Sequence, residues 1–370
     1  MTRIELGEIC RYRTESAPIN PSTYISTESM LPDKAGIKPA ASIPISGKAR
    51  AFRRGDTLVS NIRPYFKKIW QADHDGCCSA DVLIFEPHAC HPDYLYWLLS
   101  DDSFFDHVVA TSKGTKMPRG DKAAIMHYEF EKMDEGGQRT IAKTLNPIRN
   151  LIALNQRIND YLEQCALAIY KEKFEYSDET LPVGWSWHAL SEFFPVKTGK
   201  KDANVAVEGG KYPFFTCSQS STTTNAYSFE GDAILVAGNG NFNVKWFRGK
   251  FEAYQRTYVL MPENGELLGW LYCAVKRNLE FITQSARGSV IKFITKGNIA
   301  DYKIAVPQDV LTNEYVKQLN QLLLTVEESK KEIAALSALR DILLPKLMSG
   351  EIDVSNIELS TPPNNHLSVG

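Results

Sequence analysis

Apolar residues near the end of the chain step by three and four in alternation, through Leu319, Leu322, Val326, Ser329, Ile333, Leu336, Arg340, Leu343 and Leu347. This is a heptad seam, the stripe of a helix that packs along another helix. At an offset of 174 residues, Leu145, Ile148, Ile152, Asn155, Asn159, Leu162, Ala166 and Ile169 repeat it. The spacing predicts two long helices, over 137–174 and 312–348. Both seams carry a polar residue at the same position, Asn155 and Ser329, where a buried polar group trades stability for register. A seam of roughly 35 residues is about 50 Å long at ~1.5 Å per residue. The simplest partner for each seam is the other, running antiparallel. Pro147 should kink or cap the first helix, and Gly136-Gly137 should break the chain before it.

Elsewhere the pattern changes to short apolar runs bounded by Gly, Pro and Asp, as strands are. Thr57-Leu58-Val59-Ser60 and Asp81-Val82-Leu83-Ile84-Phe85 are examples. Leu95, Leu98, Leu99 and Phe105 predict one short helix between Pro92 and Val109. The plan recurs later, with strands near 233–237 and 256–261, a helix near 266–278 and a last strand ending at Pro307. At the same offset of 174, Lys113, Gly114, Thr115 and Tyr128 fall on Arg287, Gly288, Ser289 and Tyr302. Gly55-Asp56-Thr57-Leu58-Val59 answers to Gly231-Asp232-Ala233-Ile234-Leu235 two residues out of register. The expected fold is α/β in the mixed α+β sense, with a pseudo-twofold internal repeat. Two similar globular domains, 1–136 and 185–311, are separated by two long antiparallel helices forming a coiled coil. A linker, 175–184, and a tail, 349–370, complete the chain. The period is too long for a solenoid, whose repeats run roughly 20–50 residues.

A chain of 370 residues suits two domains, each able to bury a core. No run approaches the ~18 apolar residues of a membrane span. Met1-Thr2-Arg3-Ile4-Glu5 lacks the apolar stretch of a signal peptide. Seven irregularly spaced cysteines suit a reducing compartment, so a cytoplasmic location is expected. The net charge of −2 names no partner, but its distribution is uneven. Lys48, Arg50, Arg53, Arg54, Arg63, Lys67 and Lys68 face a single acid, Asp56, within 48–68, while linker and tail hold acids and no lysine or arginine. Positive patches are thereby left for phosphate contact.

Catalytic and metal motifs are weak. His74, Cys77, Cys78, His88, Cys90 and His91 crowd together, but Cys77 and Cys78 are adjacent and no Cys-x-x-Cys pair exists, so no metal site is expected. Gly238-Asn239-Gly240-Asn241 resembles a phosphate turn without the Lys-Ser/Thr of a P-loop. Asn146-Pro147-Ile148-Arg149 echoes an amino-methyltransferase motif but falls inside a helix. The chain is expected to catalyse nothing and to hold no cofactor. The loops Ser112–Arg119 and Ala286–Lys292 each pair cations and a hydroxyl with a glycine, a set that holds phosphates or reaches base edges. The candidate DNA contacts are Arg63, Lys67, Lys68, Lys113, Thr115, Lys116 and Arg119 in the first domain. In the second they are Ser218, Gln219, Asn239, Asn241, Lys245, Arg287, Ser289 and Lys292.

The ending Leu343-Leu344-Pro345-Lys346-Leu347-Met348-Ser349-Gly350-Glu351-Ile352 resembles the distal end of specificity subunits of type I restriction–modification systems. Leu181-Pro182-Val183-Gly184-Trp185-Ser186-Trp187 is similar to the opening of their second target-recognition domain. Gly209–Phe215, Gly231–Leu235 and Gln255–Tyr258 also fit that domain, and Gln138-Arg139 with Asn155 and Asn159 fit the first helix. The first domain departs from the pattern: Lys132–Gly137 lacks the usual proline, and Leu6-Gly7-Glu8-Ile9 follows no Leu-Pro-x-Gly-Trp lead. The resemblance implies that each domain reads one half of a split double-stranded DNA target. It further implies that the helices space the domains and dock two methylation subunits. Those subunits bind S-adenosylmethionine, and restriction subunits are optional further partners. A ~50 Å spacer equals about 15 base pairs at ~3.4 Å each, an upper scale for half-site separation. A two-domain adaptor that binds proteins through its helices would share the repeat, but would not need the basic loops.

Overall fold

The heptad spacing marks two helices, Glu135–Phe174 and Glu314–Met348, in a computed structural model that describes residues 2–176, 181–207, 209–284, 286–288 and 292–352. The first begins earlier than expected and contains Gly136-Gly137. Asp134 caps it, its Oδ1 accepting from the Gly137 N–H at 2.7 Å. A Cβ on Gly137 would meet the Met133 sulfur at 2.4 Å, so close packing accounts for that glycine. Pro147 neither caps nor ends this helix. Its missing N–H and its ring cost about 3 kcal/mol, which the burial of Leu145, Ile148 and Ile152 around it offsets. Asn313 caps the second helix through Tyr315 N, 3.1 Å. Gly350, at φ 72°, follows its end in the left-handed conformation that closes helices.

The chain divides into two compact units, Met1–Leu154 with Glu332–Gly370, and Asn155–Lys331. Each long helix gives one half to each unit. Early residues of the first helix share a unit with late residues of the second, and the converse holds in the other unit, as antiparallel helices require. In the first unit Leu145, Ile148 and Ile152 join a core with Leu344 and Leu347, and Ile333, Leu336 and Leu343 pack against it. In the second, Ala166, Tyr170 and Phe174 join Val316, Leu319 and Leu323, with Ile169 and Leu322 against them. Val326 is buried and Leu162 half-buried. A strict heptad stripe therefore describes the helices only in part. Tyr170, Phe174, Leu323 and Leu344 are buried outside it, because sheet domains cover a second face of each helix half.

The two units share a sheet order. In the first, Cys10–Tyr12, Val82–Pro87, Thr57–Ser60 and Ile69–Gln71 lie side by side; in the second, Val196–Thr198, Thr257–Leu260, Phe229–Ala237 and Val244–Ala253 do the same. Each unit also pairs its opening strand with the strand before its second helix: Arg3–Glu5 with Glu129–Glu131, and Trp185–Ala189 with Lys303–Pro307. The second unit extends its long strands into a six-stranded sheet. The first breaks at Arg53–Asp56 into two four-stranded sheets. The repeated Gly-Asp is structural in both: Asp56 holds Arg13 bidentately at 2.7 and 3.1 Å, and Asp232 holds Arg248 at 2.5 and 2.8 Å.

The single helix expected between Pro92 and Val109 is two, Pro92–Ser100 and Asp102–Ala110, separated by Asp101. That residue's side chain caps the second through Ser103 N. Buried Trp97 donates to Asn146 Oδ1 at 2.9 Å, and Arg149 lies 4.7 Å over the Tyr96 ring. The methyltransferase echo thus ties a domain to its helix.

Candidate nucleic-acid interface

Both units build the same frame from the loops singled out in sequence. In the first unit the Lys113–Arg119 loop closes on itself through a bridge between its end residues, and Ile62 bridges Arg119. Gly120 N donates to Asn61 O, and Arg63 N donates to Pro118 O at 2.8 Å. In the second unit Arg287 bridges Phe293 and Asn239 bridges Phe293. Ile294 N donates to Gly238 O, and Gly240 N donates to Lys292 O at 3.0 Å. The segments Asn61-Ile62-Arg63 and Gly238-Asn239-Gly240 are therefore equivalent. Gly238 is required there, since a Cβ would lie 2.5 Å from the Arg256 carbonyl.

The candidate cations separate into two groups. Lys67 pairs with Asp102 at 3.0 Å, Arg119 with Asp81 at 3.1 Å, and Lys113 with Asp121. Lys68 donates to Thr27 O at 2.8 Å, and burial followed by the neighbouring Lys38 lowers its pKa from the usual lysine value. Lys245 donates to Ser218 O and to Asn243 Oδ1, and burial lowers its pKa too. These five hold loops in place. Arg63, Lys116, Arg287 and Lys292 have no ion pair among the described residues, and the last three are exposed. Thr115, Gln219 and Asn241 are exposed, Asn239 is half-buried, and Ser218 is tied to Thr216 and Ser220. Ser289 lies outside the described residues.

Sequence reasoning missed several groups at these frames. Tyr65 and Phe66 follow Arg63 and are exposed, 44% and 38%. Asn61 Oδ1 and Arg63 Nε are buried without a hydrogen-bond partner, and such groups call for a ligand or a functional account. Beside Gly238, a cleft of about 320 Å³ is lined by Thr198, Gln255, Arg256, Tyr258, Ile294 and Lys296. No local signal distinguishes any of these, because each depends on which distant segment lies alongside.

A larger cleft, about 550 Å³, contains Ser186, His188 and Glu192. Ser186 Oγ lies 2.8 Å from His188 Nε2, and His188 Nδ1 lies 2.7 Å from Glu192 Oε2. The order matches a serine–base–acid triad, but Glu192 caps the turn Leu190–Glu192 through Ala189 N. Glu8 does the same for Glu5 N in the first unit, where Thr2 and Ile4 stand in place of the serine and histidine. Ser186 also sits within a strand paired along its length rather than on an exposed elbow. The cluster is a cap. Among the described residues no group of three or more His, Cys, Asp or Glu is placed to hold a metal, and no helix is long and apolar enough to cross a membrane.

One further surface stands out. On the first long helix Leu151, Leu154, Ile158 and Tyr161 are exposed at helical spacing, as are Leu339 and Ile342 on the second.

Comparison with known proteins shows what this chain is similar to. Residues 182–338 match the type I restriction modification DNA specificity domain. The type I restriction enzyme EcoDI specificity subunit of Escherichia coli is 40% identical over 178 residues, 46% of this chain and 39% of that protein. The MjaIX specificity subunit of Methanocaldococcus jannaschii is 22% identical over 302 residues, 72% of this chain and 70% of that protein. The match thus spans well under half the length of the EcoDI subunit. The crystal structure of a type I restriction–modification S subunit from M. genitalium shares the fold, with a TM-score of 0.50 at 18% identity over 94% of this chain and 96% of that one. Residues 182–338 thus match the type I restriction modification DNA specificity domain, and the chain is similar to specificity subunits of type I restriction–modification systems.

Proposed function

We propose that this chain is the DNA-reading subunit of a type I complex, with each domain reading one half of a bipartite duplex target. Two methylation subunits, which carry S-adenosylmethionine, dock on the long helices, and restriction subunits join them in a system that cuts. The chain works in the cytoplasm and performs no chemistry itself. The observation that carries this reading is the loop frame built twice, each time presenting cations that no carboxylate of the described residues neutralises. Such groups attract phosphates and can reach base edges. The exposed apolar stripe Leu151, Leu154, Ile158 and Tyr161 supports the docking role, since apolar patches of this kind mark protein interfaces.

The test is target selection from a randomised duplex library by the full chain with its methylation subunits, with and without Arg287→Ala. A bidentate base contact predicts a loss of about 1–3 kcal/mol and relaxed choice at one base of one half-site only. A phosphate contact predicts an even loss across sequences and a salt slope smaller by about one. Wild-type protein that enriches no duplex and shows no salt-sensitive DNA shift would establish the adaptor reading instead.

A further inference from the structure

The described residues outside glycine that adopt positive φ are Asp33 (54°), Lys34 (61°), Arg63 (50°) and Lys67 (49°), and they meet in one place. Asp33 N donates to Phe66 O at 2.9 Å, and Lys34 N donates to Lys67 O at 3.0 Å. An ordinary loop would use glycine at such positions. Left-handed backbone at four ordinary side chains persists only where the surroundings hold it, and it gathers at functional sites.

The hold is visible. The Lys34 and Lys67 ammoniums share Asp102, at 2.8 and 3.0 Å, and Lys34 is 8% exposed. Arg63 N is fixed to Pro118 O, and the short turn Pro64–Phe66 closes through Phe66 N to Arg63 O and Lys67 N to Pro64 O. This rigid mount presents two rings to solvent, Tyr65 and Phe66, with centroids 4.7 Å apart and planes tilted by 55°. Met117, beside the Pro118 anchor, is exposed as well. Arg63 and Lys116 supply positive charge at the same frame. The second unit differs at the equivalent turn: Gly240 takes φ 70° at no steric penalty, and the ring that follows, Phe242, is half-buried with Asn243 after it.

We propose that Arg63–Lys67 is a wedge, with Tyr65 and Phe66 unstacking a base step in the half-site read by the first domain. The inference rests on the DNA-reading function proposed above. Apolar side chains beside cations enter the minor groove, part a base step and kink the duplex by about 20–90°. Pyrimidine–purine steps yield most readily, so the wedge would select such a step without a hydrogen bond to it. The flanking positive charge favours a duplex over an apolar protein surface as the occupant.

The test uses the full chain with methylation subunits on the duplex it enriches from a randomised library. That duplex carries 2-aminopurine in place of each adenine, on either strand of both half-sites, in turn. A base drawn out for methylation brightens in either half-site, so the wedge predicts a further fluorescence rise, reporting unstacking, at one step of the first domain's half-site that has no counterpart in the other. Tyr65→Ala with Phe66→Ala should abolish the rise and weaken binding about 10-fold or more, while Tyr65→Phe with Phe66→Tyr should keep both. No rise at any step with wild-type protein overturns the wedge, and this result stands even if the alanine variant fails to fold. Survival of that further rise in a folded alanine variant, or rises confined to matching positions of the two half-sites in the wild type, overturns it too. Failure of the DNA-reading function looks different, since no duplex would then be enriched, and the wedge would fall with it.

Discussion

Asp56→Ala should destabilise the first unit by about 3 kcal/mol, whereas Asp232→Ala, at the matching position, should cost the second about 1 kcal/mol. The geometry sets the difference. Asp56 is 2% and Arg13 8% exposed, and the carboxylate accepts two guanidinium bonds and the Arg53 N–H at 2.8 Å. Removing one partner of a buried pair costs about 3–5 kcal/mol, because the other charge stays behind. Glu86 at 3.0 Å and Glu15 at 3.3 Å remain beside Arg13, which places the loss at the lower end. The Arg248 and Asp232 side chains are 31% and 20% exposed, so water replaces much of what is lost. Native-state hydrogen exchange reads this directly. At about 1.4 kcal/mol per tenfold, amides of Thr57–Ser60 should exchange about 100-fold faster in Asp56→Ala. Those of Phe229–Ala237 should gain only about 5-fold in Asp232→Ala. Arg13→Met with Asp56→Leu should recover most of the protection, since apolar replacement of a whole buried pair is often neutral. Equal losses at the two sites, or a double variant as weak as the single, would refute burial as the cause. The strand Thr57–Ser60 leads straight into Asn61–Arg63, so the same variant should loosen choice at one half-site.

Two further outcomes follow from the second unit. Glu163 accepts from Tyr272 and Lys276; burial raises its pKa, but these hydrogen bonds and the charges of Lys276 and Lys330 outweigh it, so the net shift is downward. A folded value below the unfolded one, about 4.3, means the stabilisation is complete above that pH and is lost as pH falls through the folded value. Urea midpoints measured against pH should show this acid limb, and Glu163→Gln should flatten it. Gly269 faces the second helix so closely that a Cβ would lie 2.5 Å from Leu319 O and 2.6 Å from Asn320 Cα. Gly269→Ala should therefore cost about 1–3 kcal/mol by overpacking, measured as a lower thermal midpoint for the second unit, with Gly240→Ala as a comparison at an open but left-handed position.

The long helices, the internal repeat and the equivalent loops were legible in the sequence because each rests on a short-range regularity. Residues three and four apart share a helix face whatever the rest of the chain does. Lys113 and Arg287 could be matched because the stretch from these loops into the long helices keeps a single offset, and each residue closes the corresponding bridge of its own unit. Helix limits were read less well, since Asp134 and close packing on Met133 start the first helix ahead of two glycines that would otherwise delay it. Which cations remain free was a tertiary matter. Lys67 is neutralised by Asp102 and Arg119 by Asp81, partners 35 and 38 positions away that no local pattern brings together. The same holds for Tyr65 and Phe66. Nothing in the sequence marks them, and only the strained pairing of 33–34 with 66–67, clamped by Asp102, turns them outward. Periodicity encodes which face of an element is apolar; which distant segment covers that face, or leaves it bare, is decided by the packing of the whole chain.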